Sequence, residues 1–447
     1  MTHPFRRQID DALCADRGLD LDPPPGVRET SPARLASAFE VSELAVASVR
    51  AAALELGALL GARQIALDCR LALMWFGMTL RPVGWTLPSM WDPVAGDYRA
   101  GDGWIRLHTN APHHRDAALS VLGSRAEREP VAAALADWAK TDLETAIVAA
   151  GGAAAAMHDL AAWDGHPQGI AVEAEPLIAW RETEGTGRAV SLQGLRVLDL
   201  TRVLAGPVAT RFLAGFGAAV LRIDPPDWNE PGVEPEVTLG KRRAGLDLRQ
   251  SGDRETFEAL LRRADVLVHG YRPGALEGLG YGAAVRRALA PGMIEVSLNA
   301  YGHTGPWAGR RGFDSLVQMS TGIAAEGMRR AGSARPLPLP VQALDHATGY
   351  LMAAAVLRAL RVRARSGRVL SARLSLARTA ALLRSGAVVL READIAAETE
   401  TDLAAGIENT GWGPARRIAF PVAVDGAGPS WPHSSGPLRQ HPPRWQA

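Results

Sequence analysis

Cysteine and lysine are nearly absent from this chain, and each scarcity excludes something. Cys14 and Cys69 are the two cysteines among 447 residues, too few for a disulfide framework and spaced for no metal cluster. Lys140 and Lys241 are the two lysines, so almost all of the 49 basic residues are arginine. With abundant Ala and Gly, that skew reflects a GC-rich coding sequence rather than a function. The net charge of +1 removes any global pull toward nucleic acid or anionic membrane. No run of about 18 apolar residues offers a membrane span. The opening MTHPFRRQIDDALCADRG lacks the apolar centre of a secretion signal. Missing too are a GxGxxG turn after the first strand of the α/β region and a GxxxxGK[ST] phosphate loop. What remains is an ordinary soluble composition, 47% hydrophobic and 22% charged. A cytoplasmic protein of two or three domains is expected, with neither nucleic acid nor membrane as partner.

Residues 1–30 are polar, carry Asp22-Pro23-Pro24-Pro25-Gly26, and read as an arm or linker. Ser31 with Pro32 reads as the N-cap and first residue of a helix. A second helix is predicted over 42–60, ended by Gly61, then a strand over 64–67 and a further helix. Asp102-Gly103 marks a hairpin turn before an alternating strand over 104–108. Helices are predicted over 113–122, 129–140 and from Thr141 to near Gly151. Residues 31–180 thus form a helical and small α+β domain. The His113-His114 pair inside it has no third ligand in register and reads as surface. Residues 181–190, RETEGTGRAV, form a linker.

From 191 to 390 the pattern changes. Apolar strands are predicted over 194–200, 218–224, 264–270 and 293–298, with helices over 208–216 and 253–263 between them. Such alternation indicates an open parallel sheet with right-handed crossovers, a Rossmann-like α/β domain. Ligands of such sheets sit at the carboxyl ends of the strands, here the loops 201–207, 225–230, 270–274 and 299–306. Residues 391–447 form a C-terminal return segment.

The stretch 337–365, LPLPVQALDHATGYLMAAAVLRALRVRAR, organises the domain. Its prolines enforce an extended lead. Asp345 then stands where an N-cap belongs, with Gly349 in the first turn and Leu351, Met352, Ala355, Val356 and Leu360 as the buried stripe. Arg358, Arg361, Arg363 and Arg365 gather at the far end, and Ser366-Gly367 closes the helix. Asp345 has two readings. It caps a helix, or it is a carboxylate that the helix N-terminus keeps ionised as a nucleophile.

Several segments together resemble the family III CoA-transferases. They are GLRVLDLTRVLAGPVATRFLAGFGAAVLRID, GKRRAGLDLR, ADVLVHGYRPGALEGLGY, SLNAYGHTGPWAGRRGFDSLVQMSTG and PVQALDHATGYLMAAAVLRAL, in that family's order over about 191–385. The resemblance implies that Asp345 is the catalytic aspartate, acylated by an acyl-CoA thioester and passing CoA to a carboxylic acid. It implies that Arg202, Val203, Leu204 and Ala205, then Leu246, then Tyr271, Arg272 and Gly274 line the coenzyme, with Arg311 as a further basic contact. Acyl-CoA and a carboxylic acid are the implied substrates, no cofactor beyond that thioester is required, and a homodimer is implied.

The chain departs from the family in order. Small-domain-like material, YRAGDGWIRLHTNAPHHRDAALSVLG, precedes the sheet, as in a permuted or duplicated chain. The family's glycine-rich oxyanion loop has no clear match. Two rivals are carried. An acyl-CoA racemase of the same family is disfavoured because Phe313 stands where those enzymes place a His. The other is a catalytically silent CoA-binding protein.

Overall fold

The computed structural model describes residues 3–14, 19, 21–183 and 191–446. Its largest sheet has seven strands: β1 (Ala179–Thr183), β2 (Arg196–Leu200), β3 (Ala219–Asp224), β4 (Arg242–Gly245), β5 (Val266–His269), β6 (Ile294–Asn299) and β7 (Val369–Ser375). Their spatial order is β4-β3-β2-β5-β6-β7-β1. The six from β2 to β7 run parallel, and β1 joins the β7 edge antiparallel, Arg181 opposite Ser371. Numbered from β2, that is the doubly wound order 3-2-1-4-5-6. The order reverses between β2 and β5, which opens a crevice at their carboxyl ends. The expected parallel sheet is therefore mixed, because residues 181–183 of the expected linker pair as its edge strand. The rest of that linker, 184–190, lies outside the described residues.

The helices that matter here are α1 (Pro4–Leu13), α2 (Val41–Leu60), α3 (Pro112–Leu122), α4 (Ala205–Gly215), α5 (Ser251–Leu261), α6 (Ala283–Leu289), α7 (Asp314–Ser320) and α8 (Ala343–Ser366). One sheet face packs Val197, Val268, Ile294, Val296 and Leu370 under α4 and α8. The other packs Leu198, Leu221 and Leu267 against Phe257 and Leu260 of α5. Alternation of side chains along each strand separates these two cores.

Helix α8 is buried over most of its length because α2 and α4 cover it. Gly349 lets α4 approach, for a Cβ there would lie 2.4 Å from the Ala205 carbonyl oxygen. Its arginines do more than face the helix dipole. Arg361 Nη1 donates to Glu55 Oε2 on α2 at 2.7 Å, with both residues almost fully buried. Removing one partner of such a pair costs about 3–5 kcal/mol. Gly367 closes the helix at φ 74°, as expected.

The N-terminus departs from expectation. Among the described residues of the stretch expected as an arm or linker, Phe5, Ile9 and Leu13 of α1 enter the main core. Gly26–Thr30 pairs parallel with Gln64–Asp68, and Val422–Val424 of the return segment pairs antiparallel with the same strand. The helix expected at Ser31 is absent. Ser31 sits at φ 52°, its hydroxyl bonded to Asp68 Oδ2 at 2.6 Å, and helix begins at Val41. The sequence 129–140 is helical to Leu135.

A smaller α+β unit precedes the sheet. Gly96–Ala100, Gly103–Leu107 and Ala154–Ala156 form an antiparallel sheet under α3, Arg128–Leu135 and Lys140–Ala149. Tyr98, Ile105, Leu122, Val131, Leu143 and Ile147 close its own core.

Candidate active site

Two ends of secondary structure meet at the crevice. At the carboxyl end of β2, Asp199 is fully buried and accepts from Thr201 N (2.9 Å), Thr210 Oγ1 (2.6 Å) and Lys241 Nζ (3.0 Å). Burial pushes the Lys241 ammonium down to about 8, against the attraction of Asp199. These bonds turn the chain sharply into α4. Val203 in that turn has φ 63°, a rare conformation for a β-branched residue. Its N–H donates to Glu230 Oε2 at 2.8 Å, and Glu230 is held in turn by Arg222.

Helix α8 supplies the other side. Asp345 is not its N-cap: Gln342 holds that position without a side-chain bond, and Asp345 is the third helical residue. It remains in the first turn, where the helix dipole favours an anion. Two other effects oppose this one. Burial, and then the neighbouring Asp314, push the Asp345 carboxyl well above the usual range. Asp314 is pushed by burial to about 6, restrained by hydrogen bonds from the Asp345 and Leu344 N–H groups and the Gln318 side chain. Asp314 has donors and Asp345 has none among the described residues, so Asp314 takes the pair's negative charge and Asp345 the proton. The pull of the helix N-terminus, expected to keep Asp345 ionised, is opposed here by burial and by Asp314.

Asp345 opens on a cavity of about 350 Å³ at the switch point. Arg202, Val203, Ala205, Tyr271, Arg272 and Arg311 line it as well, so most of the expected set converges. Three residues do not. Leu204 is 6% exposed and faces a separate small cavity with His346 and Phe76. Leu246, expected beside the coenzyme, is buried in the α5 core, since alternation turns it to that face. Gly274, at φ +83°, lines a neighbouring groove instead.

The arginines are distinct in setting. Arg202 lies between two rings, 4.8 Å from the Trp228 centroid and 5.4 Å from that of Tyr271. Arg272 reaches the Gly309 carbonyl at 3.3 Å, and Arg311 the Gly151 carbonyl of the smaller unit at 2.6 Å. Arg310, not anticipated, also lines the cavity but is neutralised by Glu144 at 2.6 Å. Three guanidinium groups thus face the cavity without a carboxylate partner among the described residues, which suits an anionic ligand.

His114, expected at the surface, belongs to the site instead. It is 3% exposed, third residue of α3, and lines the cavity with the exposed His113. His108 stacks on Phe313 at 3.7 Å, and the His114 ring meets the edge of Phe313 at 5.7 Å. Burial pushes both imidazoles down to about 3, helped for His114 by His113, Arg311 and Arg272. Both are therefore neutral at pH 7. No sequence motif flags His114, because a helix some 230 residues before Asp345 carries it to the site. Among the described residues, no group of three or more His, Cys, Asp or Glu is arranged to hold a metal ion. Nor is any helix among them long and apolar enough to cross a membrane.

A doubly wound sheet with a carboxyl group and three arginines lining the crevice at its switch point defines the class, an α/β protein with a cationic crevice at its strand ends. The model of CoA-transferase family III matches residues 192–416, half of the chain, and the chain belongs to that family. It is 36% identical over 181 residues to an acetyl-coenzyme A transferase of Hypoxylon pulicicidum, covering 39% of this chain and 30% of that one. It is 34% identical over 193 residues to a probable fatty acyl-CoA transferase of Mycobacterium tuberculosis, covering 40% and 48%. A succinyl-CoA–L-malate CoA-transferase alpha subunit of Chloroflexus aurantiacus is 31% identical over 218 residues, covering 45% and 50%. The chain thus spans half or less of these relatives' length. A crystal structure of a hypothetical protein from M. tuberculosis aligns with TM-score 0.38 and 32% identity over 44% of this chain and 58% of that one.

Proposed function

We propose that the chain is an acyl-CoA:carboxylate CoA-transferase working through Asp345. The observation that carries the reading is the Asp345 carboxyl itself, without a hydrogen-bond partner among the described residues and opening on an arginine-lined cavity at the switch point. A carboxyl group placed only to cap a helix would be spent on N–H groups.

Asp345, ionised once its proton has passed to Asp314, attacks the thioester carbon, and the carbon–sulfur bond breaks to release CoA thiolate and leave a mixed anhydride. The thiolate attacks the aspartyl carbonyl, the donor acid departs, and an aspartyl-CoA thioester remains. The acceptor carboxylate attacks that thioester, giving a second anhydride and thiolate again. The thiolate then takes the acceptor acyl group and frees Asp345. Covalent catalysis divides one exchange into steps, and holding thioester and carboxylate in contact supplies much of the rate. The tetrahedral oxyanion needs a donor. His114 fills that role: a neutral imidazole in the first turn of α3 donates a hydrogen bond without giving up its proton. Arg202, Arg272 and Arg311 hold the phosphates of CoA. The resemblance extends the proposal to a cytoplasmic homodimer, which light scattering tests for its oligomeric part.

A second reading has one observation in its favour. Phe313 replaces the racemase histidine, yet His114 faces the same cavity as Asp345, and an imidazole with a carboxyl group can exchange a proton α to a thioester. Deuterium incorporation at the α-carbon without acyl transfer would select it. For the transferase, Asp345→Ala abolishes exchange and leaves CoA affinity within a few-fold. Retained turnover in that variant refutes the assignment, and CoA binding without turnover in the native chain selects the silent alternative.

A further inference from the structure

A parallel sheet normally has both faces covered. Here β6, β7 and β1 leave part of one face polar. Alternation places Glu295 and Ser297 of β6, Ser371 and Arg373 of β7, and Arg181 of β1 on that face, and Arg181 and Arg373 are exposed. Between it, α6 and the turn after β5 lies a groove of about 250 Å³.

Its charge is one-sided. Arg181, Arg272, Arg286, Arg287 and Arg373 line it against Glu277 and Glu295. Glu295 is already taken: Arg286 grips it twice, Nε at 2.9 Å and Nη2 at 2.6 Å, and His269 approaches at 3.3 Å. Arg181, Arg287 and Arg373 have no carboxylate partner among the described residues. Arg181 and Arg373 stand diagonally across one strand pair on one face, where like charges repel. Ser297, 6% exposed and beside Arg373 in register, adds a hydroxyl to the floor. The large apolar side chains of the lining, Leu276 and Met293, are themselves buried, so a protein partner finds little apolar surface to desolvate. A concave site of this size with forked donors suits a small ligand of several negative oxygens.

We propose that this groove is a binding site for a small, multiply charged oxyanion, separate from the Asp345 cavity. The ligand is a phosphate ester or a di- or tricarboxylate, which share the chemistry that guanidinium forks recognise. Tyr271 and Arg272 line both the groove and the cavity, so the 271–274 turn is the wall between them.

Calorimetric titration of the full chain tests this, with inorganic pyrophosphate and citrate as probes and acetate as the singly charged control. Saturable binding of either probe and none of acetate is expected, and the tighter of the two names the source. The Arg181→Ala/Arg373→Ala double variant, altered at two exposed positions, should bind the probe at least tenfold more weakly with its circular dichroism unchanged. Asp345→Ala should bind it as the native chain does. No saturable binding by the native chain, equal binding by the double variant, or complete displacement of the probe by CoA would each overturn the proposal.

Discussion

Asp314→Asn is the perturbation that best exposes how the site is charged. Asp314 is 1% exposed and accepts the Asp345 N–H at 2.9 Å. While it carries the pair's charge, Asp345 keeps its proton and is a poor nucleophile. Two like charges about 4–6 Å apart at an effective dielectric of about 20 repel by about 3–4 kcal/mol. Repulsion of that size moves a carboxyl titration by about 2–3 pH units, and the arginines across the cavity reduce it. Asparagine retains an oxygen for the Asp345 N–H but turns its amide nitrogen toward the donor end of Gln318. Lost hydrogen bonding there costs about 1–2 kcal/mol of stability. The sign follows directly: removing a neighbouring negative charge favours ionised Asp345, so its pKa falls. The acid limb of the kcat/KM profile for CoA exchange, which reports the free enzyme's ionisations, should move down by about one pH unit or more. A limb that stays in place, or moves up, in a variant that still folds would refute the coupling of these two carboxyl groups.

Three further outcomes are expected. Asp345→Asn should stabilise the fold at pH 8 and not at pH 4. A raised carboxyl pKa gives stability that is complete below the unfolded value of about 3.9 and lost as pH rises through the folded one, by about 1.4 kcal/mol for each pH unit that separates the two. Urea titrations at the two pH values check it. His114→Ala should lower kcat by about 10²–10³ with CoA affinity held, the effect of removing one oxyanion donor, as read by steady-state kinetics beside CoA titration. Gly349→Ala drives a methyl group into the Ala205 carbonyl oxygen. It should cost about 1–3 kcal/mol of stability in urea and weaken CoA binding by displacing the loop before α4.

Much of the main sheet is legible in the sequence because β2, β3, β5 and β6 are short apolar runs flanked by helix. The strands that escape have non-local causes. Arg242 and Arg243 make β4 look like surface, yet both are buried because carbonyls of the return segment receive their guanidinium groups. β7 alternates Leu370, Ala372 and Leu374 with Ser371, Arg373 and Ser375 but follows the Arg-rich end of α8, and β1, AWRET, carries Arg181 on the open face and no apolar run. Asp345 stands out through the family motif and not through helix logic, which misplaces it as a cap. Asp314 is next to Phe313 in the sequence, but its contact with Asp345 exists only after α7 and the start of α8 meet. His114 escapes for a related reason, since spacing along the chain says nothing of a smaller unit folding back onto the switch point. Leu246 and Gly274 follow the family's order along the chain, but the faces they occupy depend on strand alternation and turn geometry.

The central claim is that Asp345 becomes covalently acylated. Mass spectrometry of the chain after incubation with a panel of acyl-CoA thioesters, with hydroxylamine as the trap, tests it directly. A hydroxamate at Asp345, dependent on thioester and absent from Asp345→Ala, is the expected result. Full occupancy by CoA with Asp345 unmodified under every thioester tested would contradict it.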